Sequence, residues 1–143
     1  MRLHVPADDE RGSLTLMLII LLVGLLAMAG IVVDGGTKLD DEQQAAAVAQ
    51  EAARAGAGMV NRAQAYSTGS FTIDPGQALA AAQQYLSSAG VQGIASPDGN
   101  DAIKVTVTIT EPTKILSIIG ISTITATGSA TASLVTGVTG PGA

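Results

Sequence analysis

Residues Leu14 to Val33 (LTLMLIILLVGLLAMAGIVV) run for twenty positions without a charge, between Arg11 and Asp34. A helix rising about 1.5 Å per residue covers about 30 Å over that length, the hydrocarbon thickness of a bilayer. Leu, Ile, Met and Ala suit a helix, and a helix satisfies its own backbone hydrogen bonds, which lipid demands. The competing assignment is the core helix of a soluble protein. That is a poor fit, because the 110 residues that follow are few to enclose a helix apolar on every face.

A transmembrane anchor and a cleaved signal sequence share this pattern. Ala27-Met28-Ala29 before Gly30 fits a small-x-small cleavage site, and Leu16–Leu26 would serve as a signal core. However, the apolar run continues past that site through Ile31, Val32 and Val33, and Asp8, Asp9 and Glu10 offset Arg2 and Arg11 in the leader. Retention is the expectation. Arg2 and Arg11 precede the span and only Lys38 closely follows it. By the positive-inside rule this puts the N-terminus in the cytoplasm and the bulk of the chain outside it.

The expected organisation is a cytoplasmic leader (1–12), a transmembrane helix (13–33), an alanine-rich extracytoplasmic helix (34–66), a small α+β domain (67–136) and a flexible tail (137–143). Past the span the only aromatics are Tyr66, Phe71 and Tyr85. A core of Ala, Val and Ile buries little area per residue, so the domain should be thin and helped by association. It carries nine acids and five bases, a balance that argues against nucleic acid or anionic lipid as its main partner. The absence of cysteine excludes a disulfide framework.

Asp34-Gly35-Gly36 interrupts the helix propensity at the membrane surface, so a bend is expected there, although a helix can also continue through. Thr37 can then cap a helix from Lys38 to about Ala65. Asp40, Asp41 and Glu42 suit its first turn. Leu39, Ala46, Ala49, Ala53, Val60 and Ala63 recur at helical spacing, a stripe of small apolar residues against which the domain's own sheet or another subunit could pack. Ser67–Ser70 reads as a loop. Asp74-Pro75 opens a second helix that ends before Gly90, with Leu79, Ala82, Tyr85 and Leu86 facing inward. Period-two alternation then marks strands over 91–96, 103–110 and 124–134, with Pro97–Asn100 as a turn and Pro112–Gly120 as one or two helical turns. The short connections require antiparallel pairing. The fold class is therefore α+β, two helices on one face of a small antiparallel sheet behind a long N-terminal transmembrane helix.

The sequence offers little chemistry. Its one histidine is His4, in the leader, and it has no cysteine, which removes most metal sites and nucleophile arrangements. Asp98, Asn100 and Asp101 resemble a fragment of a calcium loop without its downstream glutamate, and a turn is the expected role. No phosphate loop occurs. Neither an enzyme, a cofactor, a metal nor a small-molecule substrate is expected. Thr106, Thr108 and Thr110 beside Thr125, Thr127 and Thr131 would form a hydroxyl-rich sheet face. Such a face permits a second reading, a surface adhesin or ice-binding module, although threonine also simply suits exposed strands.

Several segments resemble one family in order and spacing. Arg11-Gly12 before the apolar run, Val33-Asp34-Gly35-Gly36 after it and Gln44–Ala49 are similar to the N-terminal region of TadE/TadG-like proteins of bacterial tight-adherence (Flp, type IVc) pilus systems, actinobacterial forms in particular. Pro112–Leu116, Gly120-Ile121 and Ala130–Ala132 resemble a C-terminal segment of the same family. The resemblance implies a pilin-like or pseudopilin-like minor subunit, anchored in the cell membrane and exposed at the cell surface. Its implied partners are other pilin subunits, the assembly machinery and a prepilin peptidase. In processed members the peptidase cuts after a glycine, and a glutamate five residues on registers the subunits. Carried over, the cut follows Gly12 and leaves Ser13 as the mature N-terminus, but the fifth residue is Met17. That departure leads us to expect a retained leader and a subunit outside the repeating shaft.

Overall fold

The computed structural model describes residues 9–69 and 72–134, with side chains from Gly12 onward. Phe71, Ser70 and the tail expected over 137–143 lie outside the described residues. Helix α1 runs from Asp9 to Ala57, so the part of the leader from Asp9 onward is helical. Of the two courses open at Asp34–Gly36, the helix continues through rather than breaking. Gly35 and Gly36 meet no neighbouring atoms that would force the chain aside. Thr37, rather than capping a new helix, donates its hydroxyl to the Val33 carbonyl at 3.3 Å, a back-bond typical of a helix interior.

The expected continuation of the helix to Ala65 is also corrected. Gly56 and Gly58 weaken the last turn, the Met59 amide bonds Gly56 O at 3.0 Å, and Val60 leaves to form an antiparallel bridge with Ile73. The Asn61 side chain then accepts from Gln64 N at 3.1 Å and opens α2, Arg62–Thr68. This cap converts Ser67 and Thr68 from expected loop to helix. Gly69 closes α2 with φ +70°, a conformation glycine adopts at no steric cost.

Helix α3, Pro75–Ser88, begins as its sequence implies. Asp74 accepts from Gly76 N and Gln77 N, both at 3.1 Å, and proline occupies the first turn, where no amide is needed. Ala78, Ala82 and Leu86 form its buried face. Of the inward face expected, Tyr85 is exposed and Leu79 half-buried.

Three strands follow: β1 (Gln92–Pro97), β2 (Ala102–Pro112) and β3 (Thr123–Ser133). They form one antiparallel sheet in the order β1-β2-β3, and Ala95 pairs with Val105 at the centre of the first ladder. Ile103, Val105 and Val107 are buried on one face, while Lys104 and Thr108 are exposed on the other, the alternation that a strand's period of two produces. Between β2 and β3 lies a short 3-10 helix, Leu116–Ile119.

The chain forms two compact units. One joins the apolar part of α1, through Thr37, with Pro112–Ile124. The other comprises Lys38–Glu111 and the chain from Thr125 on, and contains the main core. That core is built of Ala45, Ala49, Ala52, Ala53 and Ala57 from α1, Ala78, Ala82 and Leu86 from α3, and Ile103, Val105 and Val107 from β2. Its alanines contribute little area each but let backbones come close. At Gly128 of β3 an added Cβ would fall 2.2 Å from Ala46 N, and at Gly56 it would fall 2.9 Å from Ala78 O.

Candidate functional site

Two features of the chain are built for something beyond holding a fold together: the apolar surface of α1 and a buried carboxylate at its end. Throughout Leu14–Val33 the large side chains face outward, from Leu26 at 37% exposed to Val32 at 75%. The most apolar 18-residue stretch of α1 has mean hydropathy 3.1 and is 6% buried. A soluble core helix would show the opposite. Among the described residues this is the one helix long and apolar enough to cross a membrane. Gly12 and Ser13, the candidate cleavage position, and Ala27–Ala29 all lie within α1. Met17 is 67% exposed.

One face of this helix differs from the rest. Gly30 and Asp34 are buried, and Ala27 and Thr37 are half-buried, positions that line up at helical spacing. Asp34 lies just past the apolar run and is 2% exposed. Its carboxylate accepts the backbone amides of Lys114 at 2.9 Å, Ile115 at 3.0 Å and Leu116 at 2.8 Å. The Leu116 amide foremost, with those of Lys114 and Ile115, holds the Asp34 carboxyl below its ordinary range, against the opposing effect of burial. The arrangement is reciprocal: the amides at the start of a short helix lack partners within it, and a buried carboxylate needs donors.

Below this clasp, Gly30 makes room for a side chain. A Cβ there would lie 2.6 Å from Leu116 Cδ2 and 3.4 Å from Ile115 Cγ2. The hairpin is closed on itself by Thr113 N to Ser122 O at 3.0 Å, while the Thr113 hydroxyl donates to Ile121 O. Sequence reasoning read Asp34-Gly35-Gly36 as an interruption of helix propensity and missed this role for Asp34. The signal available was an acid placed immediately after the apolar run.

The residues of the expected packing stripe are distributed as follows. Ala49 and Ala53 are fully buried, Leu39 is 60% exposed and Ala46 is exposed. Val60 and Ala63 lie beyond the end of α1, half-buried and exposed respectively. The buried seam of α1 is carried by Ala45, Ala49, Ala52, Ala53 and Ala57 instead.

On the outer sheet face Thr108, Thr110, Thr125, Thr127 and Thr131 are exposed and Thr106 is half-buried. Thr110 and Thr125 hydroxyls lie 3.4 Å apart. The Asp98–Asp101 segment is a turn, with Asp98 N bonding Ala102 O at 2.8 Å and Gly99 at φ +76°. An open groove of about 400 Å³ is lined by Asp41, Gln44, Gln92, Thr108 and Glu111 among others. It has two acids, no base and no nucleophile–base pair. Among the described residues no cluster of three potential metal ligands occurs.

Residues 12–65 match the model of a family described as Tad, putative Flp pilus-assembly TadE/G-like. The match covers the apolar run, Asp34 and the alanine seam of α1. No curated protein and no solved structure matches the chain significantly.

Proposed function

We propose that this chain is a membrane-anchored, non-catalytic minor subunit that assists assembly or initiation of a tight-adherence pilus. The observation that carries the reading is the TadE/G-like match over residues 12–65, which supports a role in pilus assembly. It falls on a helix whose first half is dressed for lipid and whose second half is dressed for protein. Leu14–Val33 is the single span, the N-terminus is cytoplasmic and residues 34–143 lie outside the membrane on the far side. The leader is retained. The apolar run that continues past Ala27–Ala29 through Ile31, Val32 and Val33 supports this.

Met17 limits the role within the pilus. A glutamate at this place would pair with a neighbour's charged N-terminus inside an apolar fibre, where desolvation makes such a pair strong but leaves an unpaired charge costly. Methionine cannot accept that contact. The subunit therefore acts at the base or tip of the pilus, or in the membrane, with pilin subunits and the assembly machinery as partners.

Immunogold labelling of isolated pili and cells tests the reading. Labels confined to pilus ends or the envelope, together with loss of pili on deletion, are expected. Regular labelling down the shaft overturns the minor role, and normal pili in the deletion strain overturn the assembly role. N-terminal sequencing from membranes should begin at Met1 or Arg2; Ser13 would identify a processed prepilin and Gly30 a secreted domain.

A further inference from the structure

We propose that Leu116–Ile121 is a second membrane contact, an apolar tip that enters the lipid interface beside the last turns of the α1 span. The proposal rests on the reading of Leu14–Val33 as a retained anchor. Within the unit that holds both segments, depth is set by two contacts. The amides of Lys114, Ile115 and Leu116 bond Asp34, which stands where the apolar run ends. The Leu116 side chain descends to Gly30, four residues earlier and so about 6 Å further along the helix axis. That is the depth at which interfacial segments bury their apolar faces, about 5–10 Å into the headgroup–acyl boundary.

The tip has the chemistry such a position requires. Ile118, Ile119 and Ile121 are 69%, 44% and 47% exposed, a cluster with no reason to face water. Several of its backbone amides are already hydrogen-bonded within the segment. Ile118 N bonds Ile115 O, Gly120 N bonds Ser117 O and Ile121 N bonds Leu116 O, each at 3.1 Å. The amides of Lys114, Ile115 and Leu116 are taken by Asp34, and that of Thr113 by the Ser122 carbonyl. Irregular backbone is tolerated near hydrocarbon only when its polar groups are satisfied in this way. Lys114, exposed and tied through its amide to Asp34, adds a cation at headgroup level, where long basic side chains are favoured. The continuity of the exposed isoleucines with the apolar span, through Leu116 on Gly30, selects lipid as the occupant.

The absence of cysteine in the sequence makes the test direct. Full-length Ile118→Cys and Ile121→Cys, each labelled with an environment-sensitive fluorophore, are reconstituted into vesicles of equal parts phosphatidylcholine and phosphatidylglycerol. Leu22→Cys reports the span and Thr127→Cys the sheet face. Lipids brominated near the glycerol end or near the methyl end of the acyl chain serve as shallow and deep quenchers. Shallow quenching of the labels at 118 and 121 by about twofold or more over that at 127 is expected for interfacial insertion, with the label at 22 quenched most by the deep lipid. Quenching at 22 but none at 118 and 121 overturns the tip and leaves the anchor standing. Blue-shifted but unquenched labels at 118 and 121 mean that protein covers the tip, and likewise overturn the proposal. No quenching at 22 overturns the anchor and the tip together.

Discussion

The amide of Leu116 donates to the Asp34 carboxylate at 2.8 Å across a sequence separation of 82 residues. With the amides of Lys114 and Ile115, it ties the connection between the last two strands to the helix at the end of its apolar run. Asp34 is therefore the residue through which a long-range tertiary contact meets the end of the apolar run.

Replacing Asp34 by asparagine should release this connection. The amide side chain keeps one acceptor oxygen and turns two donors toward a set of three donors, so the geometry cannot be kept. Hydrogen exchange of the full chain in detergent micelles checks this. The Lys114, Ile115 and Leu116 amides should exchange markedly faster in Asp34→Asn, while those of Val105 and Val107 remain protected. Unchanged exchange at all three would contradict the clasp.

The same contact has a pH dependence of known sign. The folded Asp34 value is lowered from the ordinary 3.8, so its contribution to stability is fully present above that value. It is lost as pH falls through the folded value, when the proton removes the charge the amides bond. The backbone amide resonance of Leu116 should titrate with a midpoint below 3.8. A midpoint at or above that pH would show a carboxylate not held by its donors.

Gly30 is expected to tolerate no long side chain. A Cβ would already stand 2.6 Å from Leu116 Cδ2, and Gly30→Leu adds three further carbons, so overpacking should cost about 1–3 kcal/mol. Leu116→Ala should recover a large part of that loss in the double variant, because coupled neighbours are non-additive. Purely additive effects on thermal unfolding in micelles would argue that the two residues do not meet.

A second close approach lies in the unit that holds the alanine core. Gly128→Val must displace either β3 or the backbone of α1 at Ala45 and Ala46, and Ala53→Leu must open the fully buried seam. Each should destabilise by about 1–3 kcal/mol or more. Leucine at the exposed Ala46 should stay within about 0.5 kcal/mol. Equal effects of Ala46→Leu and Ala53→Leu on unfolding would remove the distinction.

Asp74 offers a local control. Its side chain accepts Gly76 N and Gln77 N at 3.1 Å, and Asp74→Ala should cost about 1 kcal/mol without altering exchange at Leu116. Loss of protection at Leu116 in this variant would mean that the clasp reports global stability rather than a local contact.

How much of this was legible beforehand depended on the range of the interaction. The apolar run, the Asp74-Pro75 helix start and the alternating strands are written in local periodicity and capping, which act within a few residues. Those signals sufficed for an α+β chain with one candidate span and an antiparallel sheet. Local signals misled where a distant partner intervened. Asp34-Gly35-Gly36 looked like an interruption, yet α1 continues through it, with Asp34 bonded to a segment some 80 residues away. The alanines of α1 were a visible stripe, but which of them face the core was decided by where β3 approaches. At Gly128 the missing Cβ lets β3 lie against Ala45 and Ala46, so Ala49 and Ala53 are buried while Leu39 and Ala46 stay outside. Composition and spacing determined what could be helix, strand and span. Only the tertiary structure decided which glycines are contacts rather than breaks, and that the acid after the span binds backbone amides rather than water, because both depend on atoms brought together from distant parts of the chain.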